Sequence, residues 1–257
     1  SRMEVPMKDK TEDNKEIRMP ADKQIPEKNS ENIVSIKNMH KSYMLGAVKL
    51  HVLKGINLNF QKGQFSAIMG PSGSGKSTLL NILGCLDKPS EGVYELDGID
   101  INDLSDEELS SVRGRKIGFI FQSFNLISQL NIIENICVPM YYQNVPEKKG
   151  VERAKELADM VGLSDRLGHR PFQLSGGQQQ RVAIARSLAN DPSIILADEP
   201  TGNLDSKSGA EILKILDSLY EQGKTVIMVT HDKEIVEGAH SVIHLLDGEI
   251  DRHEMNQ

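Results

Sequence analysis

The segment "GPSGSGKST" (70–78) gathers three glycines, four hydroxyl side chains and a lysine in nine residues. Gly70 to Ser77 fits G-x-x-x-x-G-K-[ST], and it runs from an apolar strand pattern into a helical one, as a phosphate-cradling loop must. Gly73 and Gly75, with Ser72 and Ser74 between and beside them, let backbone N–H groups converge on phosphate oxygens. The helix start adds its partial positive charge. Lys76 reaches the outer phosphates as a point charge, Ser77 offers a hydroxyl to Mg²⁺, and Thr78 closes the loop. A chance Gly/Ser turn is the competing reading, and the flanking elements argue against it. A dinucleotide fingerprint is excluded, because G-x-G-x-x-G needs glycine where the chain has Thr78.

The rest of a phosphate site belongs at the carboxyl ends of neighbouring strands. "IILADE" (194–199) supplies two carboxylates there. Asp198 ends an apolar run, where a carboxylate has reason to sit if it meets a cation, so it is a Mg²⁺ candidate. Glu199 can orient or deprotonate an attacking water, though a helix cap or ion pair would use the same residue. His231 closes "TVIMVTH" and could reach a terminal phosphate, or be a satisfied core histidine. Gln122, closing "GFIFQ", could touch the cation or the water; alone it is weak.

A second glycine turn, Ser175-Gly176-Gly177, precedes the helix "QQQRVAIARSLA", with Val182, Ala185 and Ala189 expected to face inward. It reads as another anion site or as a plain N-cap at Ser175. One chain is not expected to wrap both glycine turns around one triphosphate. Two chains placed head to tail can, each pressing its second turn onto the other's nucleotide, so that ATP acts as a reversible clamp.

These residues need a scaffold of alternating strands and helices. "FSAIMG", "SIILA" and "TVIMVT" have the length and apolarity of strands buried on both faces, which predicts an α/β fold with a mostly parallel sheet. "IVSIKNMHKSY" and "KLHVLKGINLNF" alternate as strands, and "GVYELDGIDI" and "SVIHLLDGEI" read as strand. "STLLNILGCL" reads as a helix with Leu79, Leu83 and Leu86 on one face. Residues 125–190 look mainly helical, with Val151, Ala154, Leu157, Ala158 and Val161 at helical spacing in "GVERAKELADMVGL". Residues 1–31 are charged and poor in apolar side chains, so they read as a disordered tail, with Ser1-Arg2 as a cloning remnant. The remainder, 32–257, reads as one ATPase domain.

The net charge of −7 argues against a nucleic-acid partner. Cys85 and Cys137 show no CxxC or zinc spacing and read as plain thiols in a reducing compartment. His240 and His244, on a strand, would stand roughly 13 Å apart, too far for one zinc. No run approaches the ~20 apolar residues of a membrane span, and the polar N-terminus has no signal-peptide pattern. A membrane role would need another chain.

Residues 33–250 resemble the nucleotide-binding subunits of ATP-binding-cassette transporters. "GPSGSGKST" is similar to the family's Walker A loop, "LSGGQ" (174–178) to its signature and "IILADE" to its Walker B strand. Gln122 resembles the Q-loop glutamine, His231 the switch histidine and "NLD" (203–205) the D-loop. The resemblance implies a P-loop NTPase with an antiparallel β subdomain and an inserted α-helical subdomain at about 123–190. It implies nucleotide contacts from Ser175, Gly176, Gly177, Gln178 and Asp205, and from Tyr43, the aromatic that stacks on adenine. Without it Tyr43 would read as core or surface.

The resemblance is closer to one branch, the ATPases of macrolide exporters and lipoprotein-release complexes, through "NILGCLDKPSEG", "IGFIFQSFNLI" and "LSGGQQQRVAIARSLANDPSIILADEPTGNLDSKSG". That branch implies an ATPase, with ATP and Mg²⁺, that works as a homodimer beneath a permease with a large extracytoplasmic domain, on the inner face of the cytoplasmic membrane. Its ATP-driven closure moves the permease to export or release a substrate; a regulatory output is the alternative. Asn203 departs from the small residue often found there, and the long N-terminal tail is a further departure. In the family, 122–142 forms the groove for the permease, with Phe124, Leu126 and Ile127 near it and Ile136 and Val138 inside. Long-coiled-coil DNA machines do not fit, since no heptads run between Lys76 and Ser175, and translation factors usually carry two cassettes.

Overall fold

The structure, a computed structural model, describes residues 31–256. The expected tail, apart from Glu31, lies outside the described residues.

The chain begins with two long alternating strands, β1 (Asn32–Leu45) and β2 (Val48–Gln61), paired antiparallel. The hairpin β4 (Glu91–Leu96) and β5 (Ile99–Asp100) extends them into a four-stranded sheet in the order β2-β1-β4-β5. Asp97 and Gly98 turn this hairpin, both at positive φ (47° and 78°), which suits the twist of two-residue turns.

The second sheet contains the apolar strands. It comprises β3 (Phe65–Met69), β6 (Ile117–Phe121), β7 (Ile194–Asp198), β8 (Thr225–Val229), β9 (Ser241–Leu246) and β10 (Glu249–Met255), in the order β10-β9-β3-β8-β7-β6. All neighbours are parallel except β10, which folds back on β9 through Asp247-Gly248. Alternate residues feed two cores, as burial on both faces requires. Ile195, Ala197, Val226 and Met228 face one, with Ile136, Leu157 and Val182 from the helical segment. Ile194, Leu196, Ile227 and Val229 face the other, with Leu79, Leu83 and the antiparallel sheet. The α/β fold with a mostly parallel sheet is thus present.

Helix α1 (Lys76–Leu83) follows β3 and is shorter than the sequence suggests. It stops at Gly84, where any Cβ would stand 1.9 Å from the Phe119 ring, and Cys85 turns away at φ +53°. Leu86 therefore leaves the helical face and is 47% exposed, while Leu80 and Ile82 join Leu79 and Leu83 in the core. Helix α2 (Asp106–Lys116) leads into β6.

Between β6 and β7 lie α3 (Ile132–Tyr142), α4 (Glu147–Met160), two short 3₁₀ turns and α5 (Gly176–Ser187). Ile136 is buried, whereas Val138 is only half-buried and Ile127 is exposed. Helix α6 (Ser206–Glu221) and short α7 (Lys233–Gly238) complete the chain. Among the described residues no helix is long and apolar enough to cross a membrane.

Candidate functional site

The carboxyl ends of β3, β7 and β8 open into one cleft of about 610 Å³, lined by the 70–78 loop, Asp198, Glu199 and His231, with Val52 and Val229. The parallel order β3-β8-β7 makes this inevitable, because all three strands end at the same edge.

The loop needs its glycines. Gly73 and Gly75 have φ of +80° and +104°. A Cβ on Gly75 would also stand 2.8 Å from Leu53 Cδ2, and one on Gly70 would stand 2.1 Å from the Leu245 carbonyl oxygen. The first bond of α1 runs from Leu79 N–H to Gly75 O at 2.9 Å. The N–H groups of Lys76, Ser77 and Thr78 precede it and have no intrahelical acceptor, so they are donors for an anion. Lys76 Nζ folds along the loop, donating to the Gly70 and Pro71 carbonyls, both at 2.8 Å. Ser74 is buried and its hydroxyl has no partner among the described residues; its carbonyl accepts from Gly248 N–H at 3.0 Å, pinning the loop to the β9–β10 turn.

Across the cleft, Asp198 ends β7. Burial pushes its carboxyl above the ordinary value and the neighbouring Glu199 adds to this, while Lys76 pulls it down. Glu199 then turns the backbone at φ +43°, a left-handed angle that costs a glutamate on the order of 1–3 kcal/mol. Its N–H donates to Val229 O at 2.9 Å, which ties the turn to β8. Its Oε1 lies 3.3 Å from Nδ1 of His231, two residues beyond β8 and largely exposed.

The donors fit Mg²⁺. Ser77 hydroxyl and Asp198 carboxylate both line the cleft; they are hard oxygen ligands, and a half-buried carboxyl held above its ordinary pKa is one whose charge a cation would compensate. Among the described residues no group of three or more His, Cys, Asp or Glu could hold a metal, so a cation here takes its other ligands from phosphate and water, as Mg²⁺ commonly does.

The remaining candidates lie elsewhere. Gln122 sits one residue past β6 and faces Asn203. Its Nε2 donates to Asn203 Oδ1 at 3.4 Å, and Asn203 Nδ2 donates to its carbonyl at 3.0 Å. Ser175 caps α5, accepting from Gln178 N–H at 3.3 Å while Gln178 Oε1 accepts from Ser175 N–H at 2.9 Å. Gly176 and Gly177 pack tightly; a Cβ on Gly177 would come within 2.9 Å of Ser208 Cβ. Asp205 caps α6 through Ser208, whose N–H and hydroxyl bond it at 3.0 and 2.8 Å and hold its carboxyl low. None of these lines the cleft. The structure gathers the first glycine loop with the strand-end acids and leaves the second glycine turn outside.

Tyr43 is also off the cleft wall, on β1. Its hydroxyl donates to Asp87 Oδ2 at 2.7 Å, and Lys41 Nζ, 2.5 Å from Asp87 Oδ1, sits over its ring at 4.8 Å. Burial first, then Asp87, pushes the phenol up to about 12, while Thr78 of the loop acts the other way. Sequence reasoning missed Asp87 and Val52, and it placed Asn203 in the D-loop without its contact to Gln122. Asp87 and Asn203 are reached over 44 and 81 residues of chain, a separation that no local pattern signals.

Comparison with known proteins identifies the family. Residues 53–202 match the family model described as ABC transporter. The chain is 52% identical over 219 residues to an uncharacterised ABC transporter ATP-binding protein of Thermotoga maritima, covering 85% of this chain and 94% of that one. It is 53% identical over 225 residues to the macrolide export ATP-binding/permease protein MacB of Bdellovibrio bacteriovorus, covering 88% of this chain but only 34% of that longer protein. Among solved structures, the ATP-binding cassette MJ0796 of Methanocaldococcus jannaschii, a dimer bound to ADP and Pi, superposes with a TM-score of 0.80 at 50% identity, covering 87% of this chain and 99% of that one. A match that runs from β2 through the phosphate loop to the turn after Glu199 leaves one conclusion: the chain belongs to the ABC transporter family, as one of its ATP-binding ATPase subunits.

Proposed function

We propose that this chain binds ATP with Mg²⁺ in the cleft between the 70–78 loop and Asp198, and that it hydrolyses the nucleotide in a head-to-tail dimer. The observation that carries this reading is the separation of the two glycine turns. Among the described residues the cleft is lined by a phosphate loop and an acid pair but by no residue of the second glycine turn, while the turn at Ser175-Gly176-Gly177 is an anion-ready helix start that lies away from its own chain's cleft. A second copy supplies that turn to each cleft. The dimeric cassette of Methanocaldococcus jannaschii supports this arrangement.

In this mechanism the loop N–H groups and Lys76 hold the phosphates, Ser77 and Asp198 hold Mg²⁺, and Tyr43 stacks on the base. The bound Mg²⁺ neutralises phosphate charge. Glu199 orients the water and takes its proton. His231, beside Glu199, contacts the terminal phosphate, Gln122 approaches the cation and water, and Ser175, Gly176, Gly177, Gln178 and Asp205 meet the other chain's nucleotide. Closure pulls on a permease, exporting or releasing a substrate, with the chain peripheral on the inner membrane face. Relatives named as joined ATP-binding/permease proteins, of which this chain spans about a third, support a separate permease partner.

The test is affinity capture of Glu199→Gln from native membranes with ATP, followed by mass spectrometry. Recovery of a permease with few spans and a large extracytoplasmic domain is expected. Recovery of only ribosomes, DNA or soluble proteins would overturn the transporter reading.

A further inference from the structure

Helix α5 starts at the second glycine turn and ends beside the segment that carries Gln122. Two of its side chains hold that segment. Gln180, fully buried, donates Nε2 to the Phe121 carbonyl at 3.3 Å and to the Pro200 carbonyl at 2.7 Å. Both partners only accept, so the amide nitrogen must face them, and Gln180 Oε1 is left without a partner among the described residues. Six residues on, Arg186 gives both arms to the same segment, NH1 to Asn125 O at 2.5 Å and NH2 to Phe124 O at 2.9 Å. Phe124 and Asn125 are left-handed, at φ +59° and +50°, angles that side-chain-bearing residues keep only where their surroundings fix them.

Gln122 lies between Phe121 and Phe124, and Pro200 follows Glu199. We infer that Gln180 and Arg186 are positioning residues that make α5 the carrier of Gln122 and a brace behind Glu199. A helix of this length is a stiff rod of about 18 Å. A displacement of Ser175 is carried along α5 to the 121–125 segment, which the helix holds at Gln180 and Arg186, and Gln180 links the same movement to the turn at Glu199. This rests on the proposed function, in which the second copy's nucleotide seats on the Ser175 turn. Each chain's Gln122 and Glu199 are then braced by the same helix that meets the nucleotide held in the opposite site.

The test is a double-mutant cycle on the full chain. Arg186→Lys keeps the charge but replaces a two-armed donor with a single ammonium. It is expected to lower kcat about tenfold, the scale of one hydrogen bond removed, with KM and the ATP affinity of the single chain unchanged. In a Gln122→Ala background, Arg186→Lys should add no further loss. Gln180→Met, which removes both donors at similar volume, should lose part of its effect in the Gln122→Ala background and keep the part that acts through Pro200 behind Glu199, so a folding failure in one variant leaves the other to decide. Losses that multiply in full in the double variants, or a fall in ATP affinity that parallels kcat, would overturn the inference. Absence of turnover in the unaltered chain would overturn the ATPase reading and this inference together, whereas normal turnover with losses that multiply in full sinks the inference alone.

Discussion

Nδ1 of His231 lies 3.3 Å from Oε1 of Glu199, although the two residues follow different strands and are 32 positions apart. Adjacent parallel strands ending at one edge create the pairing, and the left-handed turn at Glu199 completes it. A neutral amide keeps the shape of this contact but cannot take a proton. Glu199→Gln should therefore bind ATP as the unaltered chain does, turn over roughly 10²–10⁴-fold more slowly and persist as a dimer in sedimentation with ATP. Unchanged turnover would remove Glu199 from the chemistry.

Lys76 Nζ donates to two carbonyls of its own loop, so Lys76→Ala loses those bonds together with the charge, while the helix start at Gly75 keeps its backbone bond to Leu79. Lys76→Ala should weaken ATP binding by about 1.5–3 kcal/mol for each charge-assisted bond to phosphate that the variant cannot make. Titration calorimetry reads this directly, and wild-type affinity in the variant would refute the loop assignment.

Ser175 does two things at once. It caps α5 and stands at the face offered to the second copy. Ser175→Arg should leave ATP binding by the single chain intact and abolish ATP-dependent dimerisation. Removing the cap should also cost about 1 kcal/mol of stability, visible as a lowered Tm. A variant that dimerises normally would rule out the composite site.

Asp97 turns the β4–β5 hairpin and ties Lys62, just past β2, to Lys116, at the end of α2, at 3.0 and 2.7 Å. Burial alone would raise its carboxyl, but the hydrogen-bonded Lys116 and Lys62 ammoniums outweigh it and hold the group below its ordinary value. A depressed folded-state pKa contributes stability that is present above the unfolded value of about 3.9 and is lost as pH falls through the folded one. Asp97→Asn should thus be less stable than the unaltered chain at neutral pH, with the gap narrowing as pH falls below that value in denaturant titrations. A gap independent of pH would mean the ion pairs carry none of it.

Much of this was readable in the chain because the signals were local. "IILAD" and "TVIMV" are too short and too apolar to be anything but strands buried on both sides, and "SGGQ" encodes its capping box in four residues. The Asp-Gly pairs at 97–98 and 247–248 held a hairpin signal that explains why "GVYELDGIDI" and "SVIHLLDGEI" are each two strands and not one. Other features were set by tertiary contact. The end of α1 depends on Phe119 filling the space at Gly84, and no property of "STLLNILGCL" says so. The direction of Gln122 depends on Asn203, and the hold on Tyr43 on Asp87. Lys76, Asp198 and Glu199 were legible because their chemistry follows from type and position; the side chains that brace them were not, because an amide meeting two carbonyls has no sequence period.

The backbone angle at Glu199 sets fold stability against turnover. Glycine is the residue that φ +43° favours, so Glu199→Gly should relieve on the order of 1 kcal/mol of strain and raise the Tm while ending hydrolysis. Selection for thermal robustness and selection for catalysis would choose different residues at this one position, and the chain has glutamate. A screen that scored only heat resistance would therefore drift toward an inert, more durable nucleotide-binding protein, and position 199 is where that drift would first be seen.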